Sequence, residues 1–159
     1  MPQTSKQNLI LPNGTLIPKL VELIGEGHTV TLTLKGYSMR PFLESDRDKG
    51  VFDRVDTSCL RCGDVVLALL PVGMYVVHRI IEISGDNVTL LGDGNLTPEH
   101  CTRNDILAIV TGFYRRGSQK VCTVDSAKWR IYSRVWMALR PVRRYLLAFH
   151  RRIVLPLSR

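Results

Sequence analysis

The sequence predicts a mainly β fold with a short N-terminal helix and a C-terminal basic amphipathic helical tail. Between residues 51 and 124, short apolar runs alternate with turn sequences rich in Gly, Asp and Asn, which is typical of consecutive β-strands. Apolar residues over 16–25 recur at helical spacing, and from residue 126 they fall three and four positions apart with arginines between them. We therefore expect a β domain at 1–125 and a helical tail at 126–159.

Turn signals and apolar runs set the order of the elements. Residues 1–13 are predicted to be an irregular lead, and the sequence Asn-Gly-Thr at its end is a suitable cap for a helix over 16–25. The run 65–70 is apolar at every position, as expected of a strand buried on both faces. The charged loop at 44–50 is expected to be solvated. The predicted strands are 28–35, 51–55, 65–70, 74–84, 88–91, 106–114 and 119–124.

The net charge of +8 belongs to the tail. All fourteen acidic residues lie at or before Asp125, and the nine Lys and Arg after it have no acidic counterpart. One interpretation is a helix lying on an anionic membrane surface, kinked or split at Pro141. The alternatives are a helix packed on the β domain or on a second copy, and a nucleic-acid surface, which we do not expect. The sequence leaves the oligomeric state open.

No run of about 20 apolar residues and no secretory signal is visible, so we expect a cytoplasmic protein with peripheral membrane contact through the tail. Reduced thiols are then the default for the four cysteines. Cys59 and Cys62 have zinc-ligand spacing, and His100-Cys101 is a possible second half of a site. A second Cys-x-x-Cys or His pair is missing, so we expect no metal and no other cofactor, and zinc stays an alternative.

The hexapeptide 36–41, Gly-Tyr-Ser-Met-Arg-Pro, follows the predicted strand at 28–35. Gly36 allows a sharp turn, and Pro41 fixes its own φ while disfavouring helix at the residue before it. Ser38 is thereby presented on a stiff turn at the end of a strand, which suits a nucleophile. An ordinary loop serine is the alternative.

Three further residues have suitable chemistry. His78 lies within the predicted strand 74–84, Asp93 lies in a Gly-flanked turn, and Asp64 precedes the buried strand. A neutral imidazole activates serine by taking its proton, and a carboxylate holds the imidazole in the required tautomer. A strand histidine and a turn aspartate that serve only the fold are the alternatives, and sequence order does not place the three groups together.

The stretch 36–113 resembles the catalytic region of type I signal peptidases, in particular their eukaryotic/archaeal-like branch. That branch has a Ser-Met-x-Pro box, then Gly-Asp before an apolar strand, then His-Arg-Ile or His-Arg-Val in a strand, then a Gly-Asp-x-Asn turn. The matching segments, in the same order, are Ser38-Met39-Arg40-Pro41, Gly63-Asp64-Val65-Val66, His78-Arg79-Ile80 and Gly92-Asp93-Gly94-Asn95.

The resemblance implies a signal-peptidase/repressor-type catalytic β fold, shared with self-cleaving phage-type repressors. It implies Ser38 as nucleophile, His78 as general base and Asp93 as orienting carboxylate, with Glu99 as a weaker alternate. Oxyanion and turn support is assigned to Gly36 and Met39, and structural support to Pro41 and Asp64.

The implied function is that of a serine endopeptidase that cleaves a leader or signal segment from a peptide or protein. The chain departs from the family in two ways. No counterpart of the usual N-terminal membrane helix is visible in the sequence, and Gly36 stands where relatives often have Ser or Thr, so we expect backbone N–H groups including that of Ser38 to hold the oxyanion. The alternative is a non-catalytic binding or regulatory module that retains the peptidase fold. The repressors' lysine base and DNA-binding domain have no counterpart here.

Overall fold

The computed structural model describes residues 13–154, so the predicted irregular lead lies outside it except at Asn13. Within this range, eight antiparallel strands form one sheet. The strands are β1 (Val30–Thr33), β2 (Lys49–Asp53), β3 (Val65–Leu69), β4 (Tyr75–Ser84), β5 (Asn87–Leu91), β6 (Glu99–Thr102), β7 (Ile106–Tyr114) and β8 (Val121–Thr123). The helices are α1 (Asn13–Gly25), α2 (Ala127–Ala138) and α3 (Arg143–Phe149), with short helical turns at Arg103–Asp105, Arg140–Val142 and His150–Val154.

The sheet has the order β1-β2-β7-β3-β4-β5-β6, and β8 pairs with the end of β7. β7 lies inside the sheet, and its nine residues pair with β2, β3 and β8. Register shifts leave one extra residue in β7 opposite β2, another in β7 opposite β3, and one in β4 opposite β5, and such bulges bend the strands that contain them. The predicted mainly β class is confirmed.

Most predicted strands are present within one or two residues of their predicted ends. β1 is shorter than predicted, and β2 begins two residues earlier. β6 was not predicted, because its sequence Glu-His-Cys-Thr follows a proline and has little apolar character. This omission matters because β6 carries Glu99.

Two apolar clusters cover the two faces of the sheet. Along β3, Val65 and Leu67 belong to one cluster while Val66 and Ala68 belong to the other, so this strand is buried on both faces as predicted. The segment 36–43, which bears Ser38 and is called the serine turn, also contributes to the first cluster. The members from α1, the serine turn, β7 and α2 are Ile17, Leu20, Ile24, Met39, Phe42, Leu43, Val110, Phe113 and Trp129. The serine turn and the tail therefore pack on the same face of the sheet.

The tail forms two helices. Ser126 caps α2 by accepting a hydrogen bond from the Trp129 amide at 3.3 Å, and Pro141 lies in the turn that separates α2 from α3, which confirms the predicted break. Trp129 and Trp136 are buried against the β domain. The opposite side exposes Ile131, Val135, Val142, Tyr145, Phe149 and Ile153. Among residues 13–154, no helix is long and apolar enough to span a membrane.

The charged loop at 44–50 is predicted to be solvated, and this is wrong for Asp48, which is completely buried. Its carboxylate accepts hydrogen bonds from the Arg47 guanidinium at 2.8 Å and from the amides of Glu44 and Arg116 at 2.9 and 2.8 Å. Burial raises the pKa of this carboxyl, but these donors outweigh it and hold the pKa below its ordinary value. Asp48 thereby ties the loop after the serine turn to the chain beyond β7.

Candidate active site

A histidine–carboxylate pair lies at the edge of the sheet where β5 ends. His78 lies in β4 and is 3% exposed, and its Nδ1 is 2.5 Å from Oε2 of Glu99. Glu99 reaches it because β6 pairs with β5, which in turn pairs with β4. A carboxylate only accepts, so Nδ1 carries the proton of the neutral imidazole and Nε2 keeps a free lone pair. This is the tautomer that a general base requires.

The surroundings of His78 keep its imidazole neutral. Burial lowers the pKa of His78 below its ordinary value, and the carboxylates of Glu99 and the more remote Asp93 oppose this only in part. At neutral pH the ring is therefore uncharged and able to accept a proton at Nε2.

Ser38 is brought to this histidine across the turn that follows β5. Leu91 pairs with Arg79, so the next residue, Gly92, lies beside His78. A Cβ at Gly92 would lie 2.5 Å from the Ser38 carbonyl oxygen and 3.0 Å from His78 Nε2. The amide two residues further on also donates to that carbonyl at 2.7 Å. The predicted nucleophile and base are therefore neighbours, but the described residues show no hydrogen bond between Ser38 Oγ and His78 Nε2.

The serine turn is held in place by a hydrogen bond to the following loop and by packing on the first apolar cluster. Gly36 has a φ of +93°, a conformation that favours glycine, and its amide donates to Ser45 Oγ at 3.0 Å. The Met39 side chain is buried in the first apolar cluster, and the peptide bond before Pro41 is cis. Across residues 13–154, the amides of Ser38 and Met39 find no acceptor. Those two N–H groups are therefore without a partner among the described residues, whereas the Gly36 amide is already bonded to Ser45.

Asp93 is not the carboxylate that orients His78, contrary to expectation. It is completely buried, and its two oxygens accept from Nε and Nη2 of Arg79 at 2.8 and 2.7 Å. The Tyr132 hydroxyl donates to the same carboxylate at 2.9 Å. Successive side chains of β4 point to opposite faces, so the partner of Arg79 cannot also be the close partner of His78. The weaker alternate, Glu99, has the position that was assigned to Asp93.

Asp64 has the kind of contacts expected for a support residue. Its carboxylate accepts from the Arg61 amide at 2.8 Å, which closes the turn before β3, and its carbonyl accepts from the Ile80 amide at 2.8 Å. Burial raises the pKa of the Asp64 carboxyl. The turn also meets the buried arginine, since Arg79 Nη1 donates to the Gly63 carbonyl at 3.0 Å.

Several residues of the site were not found from the sequence. Arg79 is completely buried and also donates to Ser133 Oγ at 2.6 Å, while Trp136 Nε1 donates to the Asp93 carbonyl at 3.2 Å. A charged residue in a strand gives no sign of such burial. Asn95 could have been identified from the sequence, because it belongs to the Gly-Asp-x-Asn turn. Its Nδ2 lies 2.9 Å from the position of a Cβ at Gly92.

The cysteines are free, with Cys59 and Cys62 exposed. In the part of the chain that the structure describes, no group of three or more His, Cys, Asp or Glu is arranged to hold a metal ion. Among these residues, the fold therefore brings no further metal ligand to Cys59 and Cys62.

Fold and site together define a mainly β protein with a histidine–carboxylate pair beside a serine-bearing turn. Comparisons with protein-family models, with curated proteins and with solved structures found no match to this chain.

Proposed function

We propose that this protein is a serine endopeptidase with Ser38 as nucleophile, His78 as general base and Glu99 as the carboxylate that orients it. The observation that carries the proposal is the pair formed by buried His78 and partly exposed Glu99, in which His78 Nε2 lies beside the turn bearing Ser38. The order of the four sequence boxes supports a signal-peptidase-type fold and a leader or signal segment as substrate.

In the proposed reaction, Ser38 Oγ attacks the peptide carbonyl while His78 Nε2 takes its proton. The N–H groups of Ser38 and Met39 stabilise the oxyanion, and loss of one such donor costs on the order of 10²–10³ in rate. The imidazolium then protonates the departing amine. A water molecule, deprotonated by the same nitrogen, hydrolyses the acyl-enzyme and releases Ser38.

The test is exposure of a proteome-derived peptide library to the purified protein, with new N-termini read by mass spectrometry. Wild type is expected to generate new termini, and Ser38→Ala and His78→Ala are expected to abolish them. Ser84→Ala and His28→Ala are matched controls, since both residues are exposed and lie outside the site. Equal cleavage by wild type and Ser38→Ala would contradict the proposed mechanism.

A non-catalytic binding module is the second candidate. The missing hydrogen bond between Ser38 Oγ and His78 Nε2 favours it, although catalytic hydrogen bonds often close only with substrate. It predicts that the folded wild type cleaves nothing in the library and that His78→Ala leaves peptide binding unchanged.

A further inference from the structure

Arg143 is a buried cation that has no ionic partner among residues 13–154. It is 2% exposed at the start of α3, and its Nη2 donates to the Trp136 carbonyl at 3.2 Å. No residue within 13–154 accepts a hydrogen bond from its Nε or Nη1. Arg79, the other buried arginine, differs because it has both oxygens of Asp93.

Such a guanidinium is costly to the fold. Burying a charge without a partner is unfavourable, and burial lowers the pKa of Arg143, with the positive charges of Arg79 and Arg140 adding to the effect and Asp93 opposing it. An anionic ligand group that reaches the unused donors would remove this cost.

The unused donors belong to a residue that lines a cavity of about 570 Å³ between the tail and the turn after β5. Arg140 lines it as well, while Leu91, Leu96 and Met137 supply apolar walls. A second cavity, of about 400 Å³, shares Asn95 and Leu96 with the first.

The second cavity is lined by Glu99 and Arg151. The two cavities therefore follow the 94–99 turn from the carboxylate that holds His78 to the buried Arg143. Through Glu99, the second cavity adjoins the proposed catalytic pair, so a peptide bound there could extend into the larger cavity.

We propose that the larger cavity is a substrate subsite that binds a peptide carboxylate, with Arg143 as its ionic partner. The inference rests on the proposed function and names its substrate class: peptides with Asp or Glu near the scissile bond. The apolar walls favour an acidic side chain carried on methylene groups over a free inorganic anion. Arg140 flanks the same space and adds positive charge.

The test uses Ser38→Ala, which binds without cleaving, and a randomised peptide library with amidated C-termini. Captured peptides are expected to be enriched in Asp or Glu at one position, and a Glu peptide should bind about tenfold or more tightly than its Gln counterpart. A library with free C-termini separates a side-chain carboxylate from a terminal one. Enrichment only with free termini overturns the side-chain assignment.

Adding Arg143→Met should abolish this preference, while Arg144→Met, at an exposed neighbouring position that lines neither cavity, should retain it. Replacing an unpaired buried cation by an apolar side chain should leave the melting temperature unchanged or raised. A clear fall in melting temperature would assign Arg143 to the fold and overturn the subsite. If acidic peptides are enriched but wild type cleaves nothing, the peptidase proposal is contradicted and the subsite is retained. If wild type cleaves peptides without an acidic preference, the subsite is contradicted and the peptidase proposal is retained.

Discussion

The two carboxylates near His78 have different partners and different exposure: Asp93 pairs with Arg79, and Glu99 pairs with His78. Asp93 is completely buried with Arg79 beneath the tail, whereas Glu99 is about one quarter exposed and contacts His78. The sequence offered both as candidates, and only the pairing of β6 with β5 decides between them. Residue type predicted the participants, but their partners depend on strand register.

Asp93→Asn should destabilise the protein by about 3–5 kcal/mol, because it leaves the Arg79 charge buried without its counterion. Glu99→Gln removes a negative charge at a partly exposed site but keeps an oxygen that can accept from His78 Nδ1, and should cost less than about 1.5 kcal/mol. Urea unfolding of the two variants measures the difference. Equal losses of unfolding free energy would contradict the assignment of Asp93 to the fold and Glu99 to catalysis.

Activity should persist at acidic pH. Burial lowers the pKa of His78, so the neutral base is retained below pH 6.5, the ordinary value for histidine, and the acidic limb of kcat/KM should lie below that value. Glu99 opposes this lowering, so Glu99→Gln should move the limb further to acid as well as reduce the rate. The pH–rate profile of each protein tests this, and a limb that moves towards neutral pH in the variant would count against the pairing.

At the scale of elements, the turn after β5 brings Ser38 to His78. Its glycines are required by close approach, since a Cβ at Gly94 would lie 2.6 Å from the Tyr37 carbonyl oxygen, as close as the one at Gly92 to Ser38. Both contacts are to backbone, which cannot move aside without displacing the serine turn.

Gly92→Ala and Gly94→Ala should therefore reduce peptidase activity on the order of 10²-fold through misplacement of Ser38. Their cost in stability should be about 1–3 kcal/mol, as for overpacking. Gly25→Ala is the control, because a Cβ there has no neighbour within 4 Å. Alanine variants with full activity would show that the turn does not set the distance between Ser38 and His78.

The tail packs on the β domain, which is one of the arrangements that its sequence allowed. One face of α2 packs on the sheet, while the other face and α3 expose apolar side chains among basic ones. The periodicity predicted the helices, and Pro141 predicted the break between them. The apolar pattern did not show which of its side chains would be buried and which exposed.

We expect the exposed face to bind anionic lipid, since the tail has no acidic residue to oppose it. Vesicles of phosphatidylcholine containing phosphatidylglycerol should sediment the protein at low salt, and those of phosphatidylcholine alone should not. Replacing Tyr145 and Phe149 by Ser should weaken this binding about tenfold or more. The same change at Val72 and Met74, which are exposed on the β3–β4 turn, should have no effect. Equal binding by both double variants would exclude the tail as the contact.

At the scale of the whole molecule, composition placed a boundary after Asp125, but packing crosses it. Trp129 lies in the same apolar cluster as α1 and the serine turn, and Phe42 stacks on Tyr132 with ring centroids 4.4 Å apart. Such contacts were beyond sequence analysis, because the tail's apolar spacing shows which face is buried and not which surface covers it.

A chain that ends at Asp125 should therefore fail to unfold cooperatively. It would expose the cluster around Phe42 and would deprive the Arg79–Asp93 pair of the hydroxyls of Tyr132 and Ser133. An uncovered ion pair of this kind is accessible to water, and an uncovered core cannot offset the chain's conformational entropy. Urea unfolding monitored by circular dichroism measures this, with the full chain as control. A sharp transition in the shortened chain would show that 1–125 is an independent domain, and that the tail serves the site without being required for the fold.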